Sequence, residues 1–312
     1  MTDSQVKTNS LKAWILAARP KTLSGAAVPV MMGAAAAYTT ARDNFQWLPT
    51  LLCFLFAFIM QIDSNFINDY FDCVKGNDDK ETRLGPKRAC SEGWITLPVM
   101  RRGLVITSLL GCLAGLPLIF FGGYTMIIVG ALCVLFAFLY TTKFSYLGLG
   151  DVLVLVFFGI VPVFFTWWVS IPQEMQHFDL HVFLLGIACG LVIDTLLVIN
   201  NYRDRENDKR DGKITLVIRL GEKKSKKLYK SLGGNAAMLF FCLTIVNPSF
   251  QFSISNFFIL ALLYSIYPFF HEATYITMTR KHGRELNKVL GLTARNMFIF
   301  GITSTITILL FW

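Results

Sequence analysis

Charge is scarce in this sequence. Asp, Glu, Lys and Arg make up 16% of the 312 residues, against 54% hydrophobic residues and a mean hydropathy of +0.53. A soluble domain of this length carries about a quarter of its residues as charges, so that class is excluded. Metal-ligand spacing is also missing. The seven cysteines, at positions 53, 73, 90, 112, 133, 189 and 242, form no CxxC pair. His177, His181, His271 and His282 show no paired spacing either. Most of the cysteines lie inside apolar runs, where they act as small hydrophobes, and an odd, scattered set argues against a disulfide framework.

What is present is apolar sequence in long blocks, with 28 Phe scattered through them. Nine blocks approach the roughly 20 residues needed to cross a hydrocarbon core, at about 22–40, 47–68, 103–121, 124–142, 152–171, 180–201, 228–247, 255–278 and 291–311. The expected fold class is an all-α integral membrane protein forming one transmembrane domain over residues 1–312. The leader carrying Lys7, Lys12, Arg19 and Lys21 imitates a signal peptide, but it is long for one and Pro29 interrupts the apolar run behind it. Retention of this segment is expected.

Alternating the spans places all but two of the 29 Lys and Arg residues on one side. The exceptions are Arg42 and Arg295, the latter inside the last span. Such asymmetry puts the N-terminus and the two long loops, about 69–102 and 203–227, in the cytoplasm. The net charge of +9 then reports topology and nearness to anionic lipid, and neither a nucleic-acid partner nor an obligate protein partner is expected.

Two acidic stretches break the basic pattern at that face. The first is SNFINDYFDCVKGNDDKETRLGPKR (64–88), after the second span; the other is DTLLVINNYRDRENDKRDGKITLVIRLGE (194–222), after the sixth. Both follow the C-terminal ends of spans, where the helix dipole disfavours carboxylates. Asp69 with Asp72, and Asp204 with Asp208, fall on common helix faces. A divalent cation would reverse the repulsion, and oxygen ligands without Cys or His favour Mg²⁺, which shares its shell readily with phosphate oxygens. Two such faces can clamp one diphosphate, with Arg83, Lys87, Arg88, Arg203 and Lys213 as candidate diphosphate-binding cations. Arg219 is a further basic neighbour. On spacing alone, Asp78, Asp79, Glu81 and Asp211 read as solvated charges. Asp63, Asp151, Asp194 and Glu272 lie in or at the edges of spans, where acids are costly and tend to be functional.

These residues resemble a known family. NDYFD followed by DRENDKRDGKITLVIRLG is similar to the UbiA superfamily of intramembrane prenyltransferases. AARPKTLSGAAVPVMMG (17–33), RLGPKR (83–88) and YLGLGDVLVLVFFGIVPV (146–163) resemble the branch acting on 1,4-dihydroxy-2-naphthoate, the MenA branch. The resemblance implies about nine transmembrane helices around a central cavity, in the bacterial cytoplasmic (inner) membrane. It implies Mg²⁺-dependent departure of diphosphate from a polyprenyl diphosphate, attack by the aromatic acid, and loss of CO₂ to give demethylmenaquinone. Carried over by position, Asn68, Asp69, Asp72, Asn201, Asp204 and Asp208 match the metal–diphosphate motifs, with Asp72, Asp204 and Asp208 as the catalytic acids. Many relatives read NDxxDxxxD, whereas Gly76 holds the last place here and Asp78 is the alternative ligand. Arg19, Lys21, Asp194 and Tyr70 are candidates for the aromatic substrate, and Phe71, Tyr140, Tyr146, Trp167 and Trp168 for lining the cavity.

Two alternatives stay open at this point. One keeps the chemistry with 4-hydroxybenzoate, homogentisate or another phenol as acceptor. The other is a non-catalytic divalent-cation or lipid transporter; against it, both acidic clusters sit at one surface rather than near the midplane.

Overall fold

The computed structural model describes residues 6–76 and 82–312; Asp78, Asp79 and Glu81 lie outside them. Every regular element among the described residues is helical. A short α1 (Leu11–Ala18) leads into α2 (Leu23–Ala41) and α3 (Trp47–Lys75). Next come α4 (Leu97–Gly115), the single turn α5 (Ile119–Gly122) and α6 (Thr125–Thr142). One span is built in three pieces: α7 (Gly150–Val154), a π-helical segment (Leu155–Ile160) and α8 (Val161–Ser170). The long α9 (Leu180–Arg210), α10 (Leu216–Val246), α11 (Ile254–Arg280) and α12 (Leu286–Phe311) complete the bundle.

Eight of these stretches are long and apolar enough to cross a membrane by length and composition. The ninth expected span folds as α2, whose 19 residues are rich in Ala and Gly rather than in large apolar side chains. The reason is packing. In α2, Val28, Met32 and Ala37 are fully buried, and a Cβ on Gly33 would stand 2.4 Å from the Val163 carbonyl oxygen of α8. Small residues allow that approach, the usual means of joining helices in lipid. α9 is the other inner helix, with 67% of its apolar window buried. α6, at 11%, and α11, at 17%, show most of theirs to the outside.

Helix length carries the acidic motifs clear of the apolar belt. α3 has 29 residues and α9 has 31; at about 1.5 Å per residue each exceeds a core of roughly 30 Å. The motif residues therefore belong to rigid helix ends. This corrects the expectation of loops at 69–102 and 203–227. Helix α3 continues to Lys75 and α9 to Arg210, and α10 begins at Leu216, broken only at Gly221 with φ 72°.

Candidate functional site

Local helix chemistry puts the first cation in place. α9 ends in a Schellman turn: Lys213 N–H donates to the Asp208 carbonyl (2.8 Å), and Gly212 N–H to that of Lys209 (3.3 Å). Gly212, with φ 75°, supplies the left-handed residue this turn needs. The chain folds back so that the Lys213 ammonium reaches its own helix's Asp208 (3.8 Å) and Asp72 of α3 (3.6 Å). One ammonium thus joins the two acidic motifs, 141 residues apart at Asp72 and Lys213. Burial works against the charge on Lys213, but Asp72 and Asp208 outweigh it and hold its pKa above the ordinary value.

A loop closes the site from above. Both oxygens of the fully buried Asp69 accept backbone N–H groups, from Ala89 and Cys90, each at 2.9 Å. That tie sets Arg88, the preceding residue, 3.5 Å from Asp72. Further along, Asn207 donates to the Thr82 carbonyl (2.9 Å) and Asn287 of α12 to that of Leu84 (2.8 Å). Arg203, 4% exposed, grips Asp204 through two nitrogens and also donates to Asn200 (2.8 Å) and Asn287 (2.9 Å).

Beneath this polar end lies a cavity of about 1190 Å³. Its head is lined by Asn68, Asp72, Asn201, Asp204, Asp208 and Lys213; Arg19, Lys21, Arg83, Lys87, Arg88 and Arg203 also border it. Deeper, the wall is apolar, with Phe56, Phe136, Phe157, Phe158 and Phe165. Most of the sequence-predicted residues therefore meet in one place. Three differ. Asp69 is turned away as the loop anchor, and it does not border the cavity. Tyr70 packs edge-on to Phe71 at 5.2 Å and joins an apolar cluster around Ala89, Cys90 and Ile95. Asp194 is buried and does not border the cavity, although its neighbours Ile193 and Leu197 do. Of the aromatic candidates, Tyr140 borders the cavity, while Phe71, Trp167 and Trp168 do not.

Sequence reading missed Asn207 and Asn287. Asn207 had a signal, three residues after Asp204 on the motif face. Asn287 had none, because it belongs to a helix whose contact with the loop is purely tertiary.

The donor set at the cavity head is carboxylate and amide oxygen, which suits a hard divalent cation. Asp72 and Asp208 already share the Lys213 ammonium, and Asp72 faces Arg88 as well; among the described residues no three acids form a ready-made cluster, so the residues fit an ion whose shell amide and phosphate oxygens complete.

The family model for UbiA prenyltransferases matches residues 26–310. The chain belongs to the UbiA prenyltransferase family. Among its UbiA relatives is the 1,4-dihydroxy-2-naphthoate octaprenyltransferase of Escherichia coli (strain K12), 38% identical over 241 residues, covering 74% of this chain and 75% of that one. The apo structure of a UbiA homologue from Aeropyrum pernix K1 superposes with a TM-score of 0.70 at 14% identity, covering 91% of this chain and 97% of that one. A UbiA homologue from Archaeoglobus fulgidus, bound to GPP and Mg²⁺, gives 0.63 at 11% identity, covering 94% and 99%. These structures share the UbiA fold with this integral membrane chain.

Proposed function

We propose that this chain transfers a polyprenyl group from polyprenyl diphosphate to 1,4-dihydroxy-2-naphthoate, releasing diphosphate and CO₂ and giving demethylmenaquinone in its hydroquinone form. The observation that carries the reading is the convergence of Asp72 and Asp208, from two helices, on Lys213 at the head of an apolar cavity. The substrate class comes from relatives of that name at 33% to 38% identity.

Asp72, Asp204 and Asp208, with Asn68 and Asn201, are the residues that would hold Mg²⁺; bound there it supplies Lewis-acid stabilisation of the charge that develops on diphosphate. Lys213 and Arg88 contribute fixed positive charge for the same oxygens. Arg203 acts through Asp204, fixing that carboxylate's orientation by its two-nitrogen grip. The prenyl tail lies along the apolar wall. There the Phe rings present their faces to the allylic cation while excluding the water that would quench it. Arg19 and Lys21, bordering the same cavity, are placed for the acceptor's carboxylate. The Lys and Arg distribution supports a charged end facing the cytoplasm, and the bacterial relatives support a bacterial inner membrane.

The test is prenyl transfer by purified protein in nanodiscs, with a fixed polyprenyl diphosphate, a panel of aromatic acids, and Mg²⁺ or chelator. Product from the naphthoate, with stoichiometric CO₂ and only in the presence of divalent metal, is expected. Product from 4-hydroxybenzoate alone would overturn the acceptor and keep the donor site.

A further inference from the structure

Two buried carboxylates lie outside the diphosphate head. Four glycines bring them together. On α9, Gly186, Gly190, Asp194 and Leu197 follow at spacings of four, four and three, which puts them on one face. The α7–π–α8 span packs antiparallel against that face. A Cβ on Gly186 would stand 2.8 Å from the Ile160 Cα. One on Gly159 would meet the Gly186 carbonyl oxygen and the Gly190 Cα, both at 2.5 Å, and one on Gly190 would meet the Leu155 carbonyl oxygen at 2.8 Å. At the far end, a Cβ on Gly150 would lie 3.5 Å from Leu197 and 3.8 Å from the Tyr140 hydroxyl. Asp151 falls between Leu155 and Gly150, and Asp194 between Gly190 and Leu197. The ladder therefore brings the two carboxyl groups within electrostatic reach of each other. The π-helical turn beginning at Leu155 is the register shift in this span, and such turns recur at functional sites.

Neither acid is consumed by structure. Asp151 is 9% exposed and Asp194 5%, and each has a buried Oδ1 without a hydrogen-bond partner. Among the described residues no ion pair reaches either. Asp63 is the contrast. It is equally buried, but its two oxygens accept hydroxyls from Thr107 and Ser108, and it is a helix tie. Asp151 borders the cavity, and Asp194 does not. Tyr140 lies within electrostatic reach of this pair on one side and of Asp72 and Asp208 on the other. The pair thus sits next to the head group.

We propose that Asp151, backed by Asp194, is the proton acceptor and donor for the hydroxyl of the aromatic acceptor. The inference rests on the transferase reading given above. Two close carboxylates in a site of low dielectric hold one negative charge between them, which leaves an ionised oxygen on Asp151 for the hydroxyl. The step is written for the ring carbon that carries the carboxylate. Diphosphate leaves with the electron pair of its C–O bond. The ring carbon then bonds to the allylic carbon, the hydroxyl oxygen becomes a carbonyl, and its proton passes to Asp151. When CO₂ departs, the electrons of the broken C–C bond refill the ring. The carbonyl returns to a hydroxyl and takes the proton back. The proton is on loan, and no other reactant is needed.

The experiment compares wild type, Asp151→Asn, Asp151→Glu and Asp194→Asn on two acceptors. One is the naphthoate. The other is an analogue whose electron-withdrawing substituent leaves its hydroxyl already ionised at the assay pH. Asp151→Asn lowers kcat on the naphthoate by about 10²- to 10⁴-fold, with KM for the polyprenyl diphosphate unchanged. Its deficit on the pre-ionised analogue is far smaller, and Asp151→Glu recovers part of the naphthoate rate. Asp194→Asn, a positioning variant, lowers kcat less and moves neither KM. Equal losses on both acceptors, or wild-type transfer to the naphthoate by Asp151→Asn, overturns the proposal. A wild type that prenylates neither acceptor would sink the transferase reading beneath it, an outcome visible in the same panel.

Discussion

Replacing Asp69 by Asn separates two roles that the sequence motif merges. In the structure both Asp69 oxygens accept backbone amides, at 2.9 Å each, in a fully buried position. Hydrogen bonds from such donors to a charged acceptor contribute about 1.5–3 kcal/mol each. Asn retains one acceptor oxygen and turns an NH₂ donor toward the other amide, so one bond is lost and a buried N–H faces another donor. The expected loss is about 2–4 kcal/mol of stability. Releasing the loop also frees Arg88, held 3.5 Å from Asp72, so the KM for polyprenyl diphosphate rises. The Mg²⁺ concentration giving half-maximal transfer does not move. Asp72→Asn is the comparator: it borders the cavity and shifts that concentration by about 10-fold or more. Thermal unfolding in detergent, with Mg²⁺ titrations of transfer, reads both quantities. If Asp69→Asn shifts the Mg²⁺ response as far as Asp72→Asn while unfolding is unchanged, Asp69 is a metal ligand and the anchor argument fails.

Lys213→Met removes the cross-motif pair with Asp72 and the local pair with Asp208, and the KM for the donor should rise roughly 10- to 100-fold, from about 1.5–3 kcal/mol per charged contact. Because the folded pKa of Lys213 is raised from 10.5, its stabilising contribution is fully present below that ordinary value and is lost only as pH climbs past the raised one. The unfolding deficit of Lys213→Met should accordingly fade only as pH climbs above about 10.5. Gly159→Ala forces a methyl group to within 2.5 Å of the backbone at Gly186 and Gly190, which costs about 1–3 kcal/mol. It should lower both melting temperature and kcat. Arg203→Lys retains the charge but cannot span Asp204, Asn200 and Asn287 together; a loss of about 2–3 kcal/mol in denaturant unfolding is expected.

The helical membrane architecture was legible because lipid leaves a chain no alternative to long apolar helices. The blocks near 47–68 and 180–201 became the bodies of α3 and α9. Span 22–40 was legible from length, although its small residues answer to packing against α8 rather than to lipid. The two acidic motifs were legible for a local reason: spacings of three and four define a helix face without tertiary information. The same periodicity could not tell Asp69 from Asp72. Both lie on α3, and only the loop returning at Ala89 and Cys90 decides which one is taken. Lys213 was legible through Gly212, since the Schellman turn is a local structure. The Asp151–Asp194 pairing was not, because it depends on glycine contacts between helices that start 30 residues apart, Gly150 and Leu180. Asn287 was silent for the same reason.

The central claim is that both acidic motifs hold one diphosphate. Equilibrium binding of geranylgeranyl diphosphate to wild type, Asp72→Asn, Asp208→Asn and the double variant, with Mg²⁺ or chelator, tests it most directly. Binding should require the metal and weaken in each single variant. The double variant should lose much less than the two single losses added together, because either loss alone opens the shared clamp. Binding that survives chelation, or strictly additive losses, would show that α3 and α9 do not hold the diphosphate through one shared ion site.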